Sequence, residues 1–130
     1  MAREGLISVR SRLGAKETID VLEQAIKAKG MTVFARVDHA AGAGAVGMEL
    51  RPTEVIIFGN AKGGTPLMQA NQTIGIDLPL KALVYEDATG KTWLAYNDPH
   101  WLAERHGIES AATVVEAMTK VLEGLAAQVR

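Results

Sequence analysis

The run Thr53–Asn60, TEVIIFGN, constrains the fold of this chain more than any other stretch. Val55, Ile56, Ile57 and Phe58 are four consecutive bulky apolar residues, three of them β-branched, and alternate side chains of a strand point to opposite faces. Such a segment offers water no polar face. It predicts a strand central in its sheet and covered on both sides.

The rest of the chain reads as elements arranged around that strand. Leu6–Arg10 alternates, with Ile7 and Val9 on one face, as a half-buried first strand. Ala15, Ile19, Leu22 and Ile26 form one apolar helical stripe, Glu23 and Lys27 pair at i, i+4, and Gly30 supplies the stop. Met31–Val37 returns as a second strand. LKALVYEDATGKTWLAYN predicts a hairpin of two strands, Leu80–Glu86 and Lys91–Tyr96, with Gly90 free to take a positive φ in the turn. Asp98 and Pro99 are an N-cap and first-turn pair for a short helix closed by Gly107. A last helix, starting near Ser110 as its cap, buries Val114, Val115, Met118, Val121, Leu122, Leu125 and Val129, with Glu116 and Lys120 paired on its wet side. The order is β-α-β-(short α)-β-(short α)-β-β-α-α. It predicts an α+β fold with a mainly antiparallel sheet and helices packed on it, in one domain spanning residues 1–130.

Two glycine-rich stretches imitate nucleotide sites. Gly42, Gly44 and Gly47 have the spacing G-x-G-x-x-G, but Asp38–Ala41 separate them from the preceding strand and Pro52 follows Gly47 too soon for a full crossover helix. They read instead as a short helix capped by Asp38 and stopped by Gly47, whose small residues let another element approach closely. In FGNAKGGTPLMQAN the lysine precedes Gly63 and Gly64, so the Walker order fails, and Thr65 as N-cap with Pro66 after it accounts for the segment. No dinucleotide, ATP or other cofactor is expected.

Charge and cysteine content exclude further classes. Lys plus Arg number 14 against 15 Asp plus Glu, so no net field attracts a nucleic-acid backbone or an anionic membrane. The chain has no cysteine, which removes disulfides, thiolate nucleophiles and Cys-type zinc sites. The N-terminal MAREGLISVRSRLG has no apolar signal core, and no apolar run is long enough to span a bilayer. The expectation is a complete cytoplasmic protein. Its histidines do not form H-E-x-x-H, and no metal is expected.

ELRPTEVIIFGNAKGGTPLMQANQTIGIDLPLKALVYED, followed by YNDPHWLAERHGI, closely resembles the family called domain of unknown function 302, over about Gly14 to Val121. The resemblance implies a compact α+β fold and a homodimer. It implies no reaction, cofactor or catalytic residue.

Polar residues at element ends supply the functional candidates, because loops carried by a rigid scaffold are the usual place for binding groups. His39, Arg51, Asn60, Lys62, Asp77 and His106 are the candidate ligand-binding set, gathered around the loop after the third strand. The Arg51 guanidinium suits a carboxylate or phosphate, so the ligand would be small and anionic, although Arg51 paired with Glu49 or Asp77 would be purely structural. The alternative is a homodimeric interaction or assembly module with no chemistry. Its interface would lie in Thr65–Leu80, where Leu67, Met68, Ile74, Ile76, Leu78 and Leu80 cannot all face one core across Gly75 and Pro79.

Overall fold

Five strands pair antiparallel throughout, in the order β1 (Leu6–Arg10), β5 (Thr92–Asn97), β4 (Leu80–Glu86), β3 (Thr53–Gly59), β2 (Thr32–Asp38). This computed structural model describes residues 4–130, so the first three residues of the N-terminal segment read above lie outside it. Because β1 and β2 occupy opposite edges, the intervening helix α1 (Ala15–Ala28) must cross the sheet, and it touches β2, β3, β4 and β5 on the way. Its Ile19, Leu22 and Ile26 are fully buried, as the 3.6-residue stripe requires. Helix α5 (Ala112–Val129) packs beside α1 and buries Val115, Met118, Leu122, Leu125 and Val129. The architecture is therefore α+β, with one face of the sheet under a helical layer.

The strand that opened the sequence argument is interior but not central. β4 is the middle strand, and β3 lies between β4 and β2. Nor is β3 covered on both sides. Ile56 and Phe58 are fully buried beneath the helices, whereas Val55 and Ile57 point to the opposite face and are only half-buried. Consecutive apolar residues show that both faces avoid water, but not that the chain itself supplies both covers.

Four local readings also need correction. Helix α3 (Ala61–Ala70) starts at Asn60, whose Oδ1 accepts from the Gly63 N–H at 2.6 Å, so Thr65 and Pro66 lie inside the helix rather than at its start. Helix α5 begins after Ala111, with no side-chain cap, so Ser110 does not cap it. Glu116 reaches His100 Nε2 at 3.1 Å, because the short helix α4 (Pro99–Arg105) packs against α5 and brings a partner from outside the helix. The small residues of α2 (His39–Ala45) admit no neighbour, since a Cβ at Gly42 or Gly44 would meet open space. Asp38 does cap α2, and Gly47, at φ +76°, follows its end.

The segment after α3 turns inward. Leu67, Ile74 and Leu80 are buried in the chain's own core, and Ile76 alone of the six apolar residues is strongly exposed. The 3-10 turn Gln72–Ile76 achieves this by folding the segment back onto α3.

The β4–β5 turn is tied by one carboxylate. Asp87 accepts from Trp93 Nε1 at 2.8 Å, from the Lys91 and Thr89 N–H groups at 2.9 Å and from Thr89 Oγ1 at 2.8 Å. These bonds, with Trp93 foremost, hold its pKa well below the usual carboxylate range. A depressed carboxylate stabilises the fold fully above its unfolded pKa and loses that contribution as pH falls towards its folded value. The Tm difference between wild type and Asp87→Ala should thus stay constant from neutrality to about pH 4 and shrink below it. Thermal melts across that range check this.

Candidate functional site

The six candidate residues fall at three places. β3 is seven residues long, so its ends lie roughly 20 Å apart at about 3.3 Å per residue. His39 and Arg51 stand at one end, where Asp38 pairs with Glu54. Asn60 and Lys62 stand at the other, in and before the first turn of α3. Asp77 and His106 form a third group where the 3-10 turn meets the end of α4.

That third group is a closed hydrogen-bond network. His106 Nε2 lies 2.5 Å from Asp77 Oδ2, and Asp77 also accepts from Arg105 Nη1 at 2.9 and 3.0 Å. His106 Nδ1 lies 2.8 Å from Thr73 Oγ1, which lies 2.9 Å from Asn71 Oδ1. The arrangement has the outline of a hydroxyl–imidazole–carboxylate chain in which the Thr73 hydroxyl is shared between His106 Nδ1 and Asn71 Oδ1. Asn71 Nδ2 donates to the His106 carbonyl at 2.7 Å, which assigns Oδ1 as the acceptor of the Thr73 hydroxyl. The His106 side chain is only 7% exposed, so these bonds clamp the turn to α4. Among the described residues, no group of three or more His, Asp or Glu side chains is placed to hold a metal ion.

Beside Asn60 lies a concavity of about 460 Å³. Its floor comes from Gly59, Leu78 and Leu80 at the β3–β4 end of the sheet. One wall is α3, through Gly63, Gly64 and Met68, and the other is α5, through Val114, Met118 and Val121. Met31 and Phe34 close the side. Of the lining side chains only Asn60 and Thr113 are polar and none is charged. Gly63 and Gly64 keep the volume open, since they line it without side chains. Water inside such a cavity finds few partners, so an apolar occupant is favoured.

His39, Arg51, Lys62, Asp77 and His106 do not line this cavity; Asn60 alone of the candidates does, and its carbonyl oxygen is engaged as the α3 cap. Phe34 was missed because a bulge between Val33 and Ala35 breaks the alternation of β2, a feature that apolar patterning does not reveal. Val114 and Val121 did carry a signal. They lie at i, i+7 and widen the apolar stripe of α5 beyond what contact with α1 buries, so both remain only half-buried.

Arg36 is the other unforeseen residue. It grips Glu54 with Nε at 2.8 Å and Nη2 at 3.1 Å, while Nη1 reaches Asp20 at 2.9 Å and Glu23 at 3.0 Å. These bonds, led by Glu54, raise its pKa, so the guanidinium remains charged. Asp20 is correspondingly lowered, chiefly by Arg36, and Glu23 is lowered by Lys27 and then by Arg36.

Comparison with known proteins bears on the fold and the family. The crystal structure of an uncharacterized conserved DUF302 protein from Bacillus stearothermophilus superposes with a TM-score of 0.87, covering 98% of this chain and all of that one, at 21% identity. At that identity the likeness concerns the fold. Residues of this chain are also 52% identical over 115 positions to proteins named fluoride-specific ion channel FluC 1 in Brucella suis biovar 1 and in Brucella abortus biovar 1. The match covers 88% of this chain but 45% and 43% of those proteins, so the chain spans less than half the length of these relatives, and the channel name belongs to the longer proteins. Among the described residues, no helix is long and apolar enough to cross a membrane. The sequence profile of the family described as "Domain of unknown function DUF302" matches residues 7–125, which is nearly the whole span of the sheet and its helices, and the chain belongs to that family.

Proposed function

We propose that this domain binds a small apolar molecule in the cavity between α3 and α5, at the loop that follows β3. The single observation carrying this reading is the composition of the wall: a half-open hollow of about 460 Å³ lined by methionine, leucine, valine and phenylalanine side chains, with no charged side chain. The volume falls within the range of small-molecule sites. An anion would find none of Arg51, Lys62 or His39 on that wall, so the ligand class shifts from anionic to neutral and apolar. No reaction is assigned, because no nucleophile or general base faces the cavity.

The methionines make a direct readout. Three of the five line the cavity, Met31, Met68 and Met118, while Met48 lies on the exposed segment after α2 and serves as control. With methyl-labelled methionine, decanol is expected to shift the three cavity methyl resonances at micromolar to millimolar concentration and to leave Met48 in place, whereas inorganic phosphate moves none. Ala117→Trp, on the exposed rim from α5, should weaken decanol binding at least roughly tenfold by filling the mouth, a loss of about 1.4 kcal/mol. Shifts confined to Met48, or none at millimolar decanol, would refute the assignment. A second reading, a homodimeric assembly module without chemistry, is favoured by the half-buried apolar residues on the face of the sheet away from the helices. The two are compatible, since the cavity lies on the helical side.

A further inference from the structure

We infer that the hollow beside Asn60 takes an amphiphile: one apolar chain ending in a neutral hydrogen-bond acceptor of the ketone, aldehyde or ester class. This rests on the apolar site proposed above and adds the chemistry of the ligand's other end. The lining is divided by depth. Leu80 and Met118 are buried and Met68, Leu78 and Val121 half-buried, and all five side chains present only carbon or sulfur. Both polar side chains of the lining are exposed: Asn60, which caps α3, and Thr113, in the first turn of α5. Two helix starts thus set polar groups at the rim of an apolar hollow, and a ligand that uses both regions has an apolar chain and a polar end.

Hydrogen-bond directions fix the polarity of that end. Asn60 Oδ1 accepts from the Gly63 N–H at 2.6 Å, which identifies the other terminal atom of the amide as Nδ2. That NH2 group only donates, and it has no protein partner among the described residues. Thr113 Oγ1 has none there either. An amide whose oxygen is engaged in a helix cap offers a ligand donors alone, so the matching group is an oxygen with lone pairs, and an amine or ammonium is mismatched. A carboxylate would satisfy the same donors, but it would lose hydration beside methionine and leucine with no charged side chain on the wall to offset the loss. A neutral carbonyl oxygen gives up much less. Space for it lies next to the amide, where Gly63 and Gly64 line the hollow without side chains, and a Cβ on Gly63 would stand 3.0 Å from Asn60 Oδ1.

Two probes of one shape separate the head group from the chain: methyl hexyl ketone, and the alkene in which a methylidene group replaces its oxygen. Binding is read on the methyl resonances of Met31, Met68 and Met118, which line the hollow. The two probes differ in hydration, so the quantity compared between proteins is the ratio of their Kd values, from which the contribution of water cancels. Asn60→Asp keeps a cap of equal quality but turns the donors into an acceptor. It should weaken the ketone relative to the alkene about tenfold, and Thr113→Val should do so about threefold. Thr65→Val, exposed on α3 outside the lining, should leave the ratio where it was. Octanoate should bind wild type no more tightly than the ketone. Circular dichroism confirms that each variant is folded.

A ratio unchanged in both Asn60→Asp and Thr113→Val, a ratio that moves equally in Thr65→Val, or octanoate bound roughly tenfold tighter than the ketone would overturn the head-group assignment and leave the apolar site standing. Failure of ketone and alkene alike to shift the three methionines at millimolar concentration would remove the apolar site and this inference with it.

Discussion

Replacing Asp77 by alanine is expected to lower the unfolding free energy by about 2–4 kcal/mol, the usual cost of stripping an acceptor from a nearly buried charged network. Two nitrogens converge on this carboxylate: Arg105 Nη1, which meets both oxygens, and His106 Nε2. Arg105 is half exposed and returns to water at little cost. His106 cannot, because its ring is 7% exposed and is fixed on its other side by Thr73. The effect should therefore come mainly through the imidazole. Asp77→Asn, which keeps one acceptor of the same shape, should lose roughly half as much. Asp77→Ala combined with His106→Ala should cost less than the sum of the single changes, since the second substitution removes the group the first leaves unpaired. Denaturant unfolding of the four proteins measures all of this. If Asp77 were instead a ligand-binding group with no structural duty, its removal would leave the midpoint where it was.

Arg36→Leu is expected to reverse the pH dependence of stability. In the wild type the guanidinium holds Asp20 low, and Glu23 is held low by Lys27 and Arg36 together. Carboxylates depressed in the folded state stabilise it above their unfolded pKa, and that contribution is lost as pH falls through the folded value. Without Arg36, Asp20 and Glu23 lose the partner that helps lower them and face Glu54 with like charge, so their folded pKa values rise and protonation relieves the repulsion. The variant should gain stability between pH 7 and about pH 5, where the wild type is flat or begins to lose it. Lys16 and Lys27 still screen Asp20 and Glu23, and Asp20 is half exposed, so the loss at neutrality is moderate, a Tm lower by roughly 5 °C. High salt should narrow the gap. Melts from pH 5 to 8 in low and high salt decide it, and parallel curves for the two proteins would exclude the electrostatic account.

Several elements were legible because their cause is local. The stripe Ile19, Leu22, Ile26 marked α1, and Gly90, at φ +84°, marked the hairpin turn. Asp98 accepts from the His100 N–H and starts α4 with Pro99 behind it. Where local signals competed, the choice went astray. Asn60 and Thr65 were both able to cap a helix, and Asn60, standing at the end of β3, took the role. The six polar candidates were chosen at loop ends, whereas the hollow beside Asn60 is walled mainly by apolar residues that, in the sequence, read only as core.

The sequence by itself determined the α+β class, the element order, and the buried stripe of α1 with most of that of α5, because periods of 2.0 and 3.6 residues are properties of a few consecutive positions. The tertiary structure alone decided what those faces meet. Strand order placed β4 in the middle, and the alternation of β3 left Val55 and Ile57 half-buried on the face away from Ile56 and Phe58. It brought His106 to Asp77 across 29 residues and Arg36 to Glu54 across 18. It also left a hollow between α3 and α5, lined by Phe34 of β2 and by Gly63 and Gly64 of α3. Such contacts depend on how rigid elements cross one another over tens of residues, and no short-range pattern encodes that crossing.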